Sequence, residues 1–238
     1  MTAVPEEILG LRVKVIRSTR RTAALHIVGN ELQVRIPERL GDERMAAILQ
    51  QKRPWIRAKV AEWQPVQPQR PRELVSGESF PYLGRNYRLK VLEGRRVGVC
   101  LSRGYLRATV RPGEQGGQRQ RRIQQYLERW YRSRALERLR EKTNRYSRQI
   151  GVTPTGISVR NFKSRWGSCN KKGHLAFNWN IVKAPHAIAN YVVIHELCHL
   201  VHPNHSKDFW RLVRCHDDAY GEHKQWLKER AGFLLGGG

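Results

Sequence analysis

The stretch that most limits the possible folds is His195-Glu196-Leu197-Cys198-His199. The apolar run Ile188 to Ile194 leads into it, and Leu200-Val201-His202-Pro203-Asn204-His205 follows. Such a run reads as a buried helix, and on a helix positions i and i+4 lie one above the other on a single face. His195 and His199 can therefore aim two imidazoles at one point, with Glu196 flanking the same face. Pro203-Asn204 breaks the helix, so the chain can turn and bring His205 in from outside the helix axis. Three neutral nitrogen donors with an open fourth position describe a catalytic zinc site, whereas a structural site is closed by four protein ligands. The expected ligands are His195, His199 and His205 for one Zn²⁺ per chain, with Glu196 beside the metal as general base. His202 competes for the third place or faces a substrate. Six of the nine histidines lie from position 195 onward. His216 and His223, with Asp217, Asp218 and Glu222, are weaker candidates, most of which read as solvated.

The chain has 238 residues, enough for one large or two small domains. Met1-Thr2-Ala3-Val4 runs into Pro5 and Glu6 without an apolar leader, and no run approaches a membrane span. The expectation is a cytoplasmic protein with no membrane partner. Four cysteines, Cys100, Cys169, Cys198 and Cys215, show no C-x-x-C pairing and read as reduced. Lys and Arg number 45 against 20 Asp and Glu, a net charge of +25 that favours polyanions such as nucleic acid or nucleotides. Solvated Arg-rich faces would explain the same surplus.

Taken in order, Leu11 to Ile36 reads as strands, with a hairpin turn at Gly29-Asn30 and an Arg17, Arg20, Arg21 cluster. Gly41 to Trp63 has helical spacing, and Pro54 starts its second part. Gln64 to Arg72 is a Pro/Gln/Arg linker. Short strands at Phe80–Leu83, Tyr87–Val91, Val97–Leu101 and Tyr105–Val110 suggest a β-meander. A long basic helix follows from Gln118 to about Ile150, its apolar stripe facing a core and its Arg face interleaved with Glu. Strands are expected over Gly156–Asn161 and His174–Val182, and helices after Pro185, after Ser206 and around Glu222–Phe233. The fold class is α+β. A β-rich N-terminal region with one helix pair covers 1–112, and a catalytic half in which the H-E-x-x-H helix lies beside a small sheet covers 113–238.

R-W-G-S-C at 165–169, F-N-W-N at 177–180, and Y-V-V-I-H-E-L-C-H-L with N-H-S-K-D-F-W between 191 and 210 resemble the YgjP-like metal-dependent hydrolases. The resemblance extends to G-E-S-F-P-Y-L-G at 77–84 and the early Arg-rich strands. It implies a zincin-like catalytic half, with His195, His199 and His205 as ligands and Glu196 as base. The pattern H-x-x-H-x-x-H-x-x-x-F-W from His199 to Trp210 is also similar to WLM and SprT-like proteases that act near DNA. The metzincin pattern places Gly where His202 stands, and no Met-turn follows.

These features lead to a zinc-dependent hydrolase, foremost a metallopeptidase acting on a peptide or protein. An alternative keeps the metal but hydrolyses a nucleotide phosphoanhydride. Another is a DNA-associated protease. A non-enzymatic reading, a basic nucleic-acid binder with structural zinc, needs a fourth protein ligand. On the substrate side, Arg165 could clamp an anion, and Trp166, Tyr191 and His202 are further candidates. A strand beside the metal helix could hold an extended substrate by main-chain pairing.

Overall fold

The computed structural model describes residues 5–19, 22–28, 31–62 and 72–235. The expected turn at Gly29-Asn30, Arg20 and Arg21 of the arginine cluster, residues 64–71 of the linker and the Gly tail lie outside these residues. The described chain is α+β, with three small mixed sheets and six helices. It divides into two compact units, Met1–Pro68 and Gln69–Gly238.

The first unit opens with strands β1 (Glu7–Ile8), β2 (Leu11–Ser18), β3 (Ala24–Val28) and β4 (Glu31–Pro37), in sheet order β1-β2-β4-β3. Alternation along β4 buries Leu32, Val34 and Ile36 against Met45 and Leu49 of α1 (Asp42–Gln51) and Ile56 of α2 (Arg53–Glu62). Lys52 separates the two helices and Pro54 occupies the first turn of the second, where a missing N–H costs nothing. Arg17 is held by the Leu40 carbonyl (2.7 Å) and the Asp42 carboxylate (2.6 Å).

In the second unit β5 (Ser79–Tyr82), β6 (Arg85–Glu93), β7 (Gly98–Ser102) and β8 (Tyr105–Val110) form a sheet of order β5-β6-β8-β7. This corrects the expected meander. β6 pairs with β8 in parallel, Arg88 opposite Tyr105 and Lys90 opposite Arg107, and β7 is displaced to the edge. Hairpin rules relate neighbouring strands in sequence, and this pairing skips one.

The two sheets follow one plan at a spacing of 74 residues. It relates Ala24 to Gly98, Glu31 to Tyr105 and Asp42 to Gly116, the starts of β3 and β7, of β4 and β8, and of the helix after each sheet. The first hairpin turns also correspond: Leu9 and Gly10 have φ of 53° and 80°, Leu83 and Gly84 of 50° and 80°. Buried positions match as well, with Leu32, Val34 and Ile36 standing where Leu106, Ala108 and Val110 recur.

The helix that follows the second sheet is α3 (Gly116–Ile150), whose stripe Ile123, Leu127, Trp130, Tyr131, Ala135, Leu139 and Tyr146 is buried as its spacing requires. Three of its arginines pair with acids three or four residues away, Arg132 with Glu128, Arg134 with Glu137 and Arg138 with Glu141. The core face of β5–β8 (Phe80, Tyr82, Leu89, Leu106, Ala108 and Val110) shares one core with α3 and α4 (His186–Cys198). The boundary expected at 112 and 113 therefore falls inside the second unit, because that sheet has no separate apolar partner.

A third sheet, order β10-β11-β9, is built from β9 (Gly156–Arg160), β10 (Gly167–Cys169) and β11 (His174–Asn178). The strand expected to reach Val182 ends at Asn178. Its side-chain carbonyl accepts from the Asn180 N–H at 3.1 Å and turns Trp179–Lys183 into a 3₁₀ helix. Leu83 N–H donates to the Val182 carbonyl at 2.7 Å, and a Cβ at Gly84 would lie 2.9 Å from Pro185 Cα. The Leu83-Gly84 turn thus seats the residue that opens α4. α5 (Lys207–His216) and α6 (Tyr220–Leu235) complete the unit. No helix among the described residues is long and apolar enough to cross a membrane.

Candidate metal centre

α4 buries Ile188, Ala189, Val192, Val193, Ile194, Leu197 and Cys198, leaving little freedom in how His195 is presented. Helical backbone persists through His199 (φ −67°, ψ −17°) and then tightens, with Val201 and His202 N–H both donating to the Cys198 carbonyl at 3.1 and 2.9 Å. Pro203-Asn204 follows, the expected break. Ser206 caps α5, its hydroxyl accepting from Phe209 N–H at 3.3 Å, and this fixes His205 at the helix mouth.

Ligating nitrogens of His195, His199 and His205 all lie within 4.8 Å of one another. The Nε2 atoms of His195 and His205 are 3.0 Å apart. A tetrahedral ion at about 2.0–2.1 Å from each nitrogen would separate a pair of donors by about 3.3 Å, close to this spacing, so the donor set suits a metal ion such as zinc. His199 Nδ1 contacts the His202 main-chain carbonyl at 3.2 Å, which favours the tautomer that leaves Nε2 free to ligate. His202 therefore enters through its carbonyl; its ring is not part of the cluster. Phe209 packs on all three rings, and Trp210 stacks on His205 with centroids 5.5 Å apart. Tyr220 stacks on the far side of Trp210 and the Lys224 ammonium lies over it.

Glu196 is 6% exposed and faces β10. A Cβ at Gly167 would come within 2.5 Å of Glu196 Oε1, 2.6 Å of its Cγ and 2.8 Å of its Cδ. Only a residue without a side chain lets β10 and this carboxylate share that space. Burial pushes the Glu196 carboxyl up to about 8, with the exposed Arg165 guanidinium pulling the other way. Burial, with His199, His205 and Lys224, holds His195 down to about 3, so it stays a neutral ligand.

Of the substrate-side candidates, Arg165 is the one whose charge acts on Glu196. Trp166 is half-buried against the core, and its carbonyl accepts from Asn178 N–H at 2.8 Å. Tyr191, one turn before His195, is buried with its ring 5.9 Å from that of His195. The Asp217 carboxylate holds His223 Nδ1 at 2.8 Å, and the His223 ring is 6.2 Å from Tyr191. The expectation that both were merely solvated misses this pair, half-buried behind the metal helix; their six-residue spacing across a helix start is its one sequence trace. All four cysteines are free, and Cys198 is buried as packing.

The shifted carboxyl predicts a pH effect in chelator-treated protein. Folded Glu196 keeps its proton up to about pH 8, while the unfolded chain has lost it well below. Near pH 6.5 the unfolded chain still carries part of the protons of His195 and His199, which burial keeps neutral in the fold, so the Glu196 effect is read above about pH 7. Stability should therefore fall by roughly 1 kcal/mol as pH rises from 7 to 8.5. Urea unfolding at the two pH values measures it. Glu196→Gln should remove the slope.

None of the curated proteins matches the chain. Among solved structures, the metallopeptidase zymogen jannalysin of Methanocaldococcus jannaschii is 18% identical with a TM-score of 0.36, the match covering 39% of this chain and 96% of that one. The zymogen abylysin of Pyrococcus abyssi is 22% identical with a TM-score of 0.35, covering 41% and 95%. The model of the YgjP-like family, described as a metallopeptidase domain, matches residues 21–230. That span takes in the metal-helix motif, the strand that faces its carboxylate and most of the first unit, and the chain belongs to the YgjP-like metallopeptidase-domain family.

Proposed function

We propose that the protein is a zinc-dependent peptidase with a zincin-like catalytic half, in which His195, His199 and His205 hold the ion and Glu196 is the general base. The convergence of three histidine nitrogens beside a buried carboxylate carries this reading. A zinc ion held there supplies the Lewis acidity that makes water a nucleophile near neutral pH and polarises a carbonyl. Glu196 takes the proton as water adds to the scissile carbonyl, and returns it to the amine nitrogen as the C–N bond breaks. Among the described residues β10 pairs with β11 on one side only, and its other edge would bind an extended peptide by main-chain hydrogen bonds. Arg165 interacts with an acidic side chain or a terminal carboxylate of the substrate. Tyr191 steadies the His195 ring from the preceding turn.

The test is metal content with peptide cleavage by the full chain. About one zinc per wild-type chain is expected by elemental mass spectrometry, together with cleavage of unstructured protein substrates. His205→Ala should lower zinc affinity by 10-fold or more. Undiminished zinc in His205→Ala would remove His205 from the ligand set. Phosphate or pyrophosphate release from nucleotides, without cleavage of any peptide, would transfer the same centre to phosphoanhydride chemistry.

A further inference from the structure

The 74-residue spacing makes an internal comparison possible. In the first sheet Arg12 stands opposite Glu31 and Lys14 opposite Gln33. At the matching rungs of the second sheet Arg88 stands opposite Tyr105 and Lys90 opposite Arg107. Tyr105 takes the place of Glu31 and Arg107 that of Gln33. The acid is gone, and an aromatic ring and a cation have been gained. Directly paired residues share a face, so Arg88, Lys90, Tyr105 and Arg107 point outward together, opposite to the buried Leu89, Leu106 and Ala108. No Asp or Glu lies on that face of β5–β8.

Some cations elsewhere have acids beside them: Lys14 has Glu31 at 3.8 Å, and Arg132, Arg134 and Arg138 of α3 pair with glutamates of the same helix. Among the described residues, Arg88, Lys90 and Arg107 form no ion pair or side-chain hydrogen bond. Tyr105 is 45% exposed on a central strand, and among the described residues no other ring or cation packs on it. Unpaired cations repel one another across adjacent strands, an arrangement that a polyanion relieves. A sheet face with an open aromatic among cations suits unstacked bases, the ring accepting a base while the cations follow the phosphates.

We infer that the outer face of β5–β8 binds single-stranded nucleic acid, with Tyr105 as a stacking platform and Arg88, Lys90 and Arg107 as phosphate contacts. The inference is independent of the metal centre. It rests on the second copy of the plan, not on net charge.

The experiment uses the full chain and a fluorescent single-stranded oligonucleotide of about 12 nucleotides, in ribo and deoxyribo forms, titrated over a range of salt. Arg88→Ala/Lys90→Ala/Arg107→Ala should weaken binding by at least tenfold near physiological salt and reduce the log–log salt slope by about 2. Arg12→Ala/Lys14→Ala/Arg35→Ala, which removes the same charge from the outer face of the first sheet, should change affinity less than threefold. Tyr105→Ala should weaken binding roughly tenfold with the slope unchanged. Unaltered thermal unfolding qualifies each variant, and Gln versions replace any Ala variant that fails it. Equal losses in the two triple variants would assign binding to net charge and overturn the inference. So would a duplex binding as tightly as the single strand, indifference to Tyr105→Ala, or full competition by poly-glutamate, which would point to an acidic protein instead.

Discussion

Glu196→Gln is expected to lower kcat for peptide cleavage by about 10²- to 10⁴-fold while leaving zinc content and fold intact. The amide keeps the size of the carboxylate in a space bounded by Gly167, so β10 has no reason to move. It cannot accept the proton of an attacking water. Because the carboxylate is not among the three clustered donors, metal retention should be unchanged. Elemental mass spectrometry and steady-state kinetics on the same preparation separate the two properties. A variant that lost its zinc would make Glu196 a ligand, and one that kept its kcat would place the base elsewhere.

Gly167→Ala should be nearly as damaging by a steric route. One methyl group would overlap Oε1, Cγ and Cδ of Glu196 together, so no rotation of the carboxylate alone relieves the clash. Either the Glu196 side chain leaves its position or the short edge strand β10 moves off α4. Displacements near 1 Å at a reacting group cost about 10²-fold, and we expect a kcat loss of about 10- to 10³-fold. Since β10 is a three-residue edge strand, the unfolding midpoint should change little, and zinc content not at all. Wild-type kcat in Gly167→Ala would show that the site tolerates a separation of strand and base. A large loss of stability would show that β10 is needed for folding rather than for chemistry.

The metal motif is legible in the sequence because its geometry is local. His195 and His199 are one helical turn apart, and a single Pro-Asn break brings in His205. Gly167 carries no such sign: its reason lies 29 residues away, in a contact made only when the sheet and the helix meet. Trp179 to Val182 read as strand because an apolar run of that length suits either structure, and the Asn178 side chain that bends it acts through one hydrogen bond. The parallel pairing of β6 with β8 is hidden because turn chemistry reports which strands are joined, not which lie side by side. The 74-residue plan is not legible in the sequence for a different reason. Only the tight turn and the alternating buried positions had to match, and everything facing outward was free to diverge.

Writing one strand plan twice in a chain creates a hazard during folding, since each sheet offers the other's strands a near-fitting partner. The register guards against it. In the first copy Arg12, two residues beyond the turn glycine Gly10, meets Glu31; in the second Arg88, four residues beyond Gly84, meets Tyr105. A hairpin exchanged between copies would keep its apolar side inward, because the slip is even. It would also sit two residues out along the strand, leaving backbone donors and acceptors unpaired at both ends. Strand exchange is a common failure of chains with repeated units, and here a two-residue offset in the parallel register tells one copy from the other.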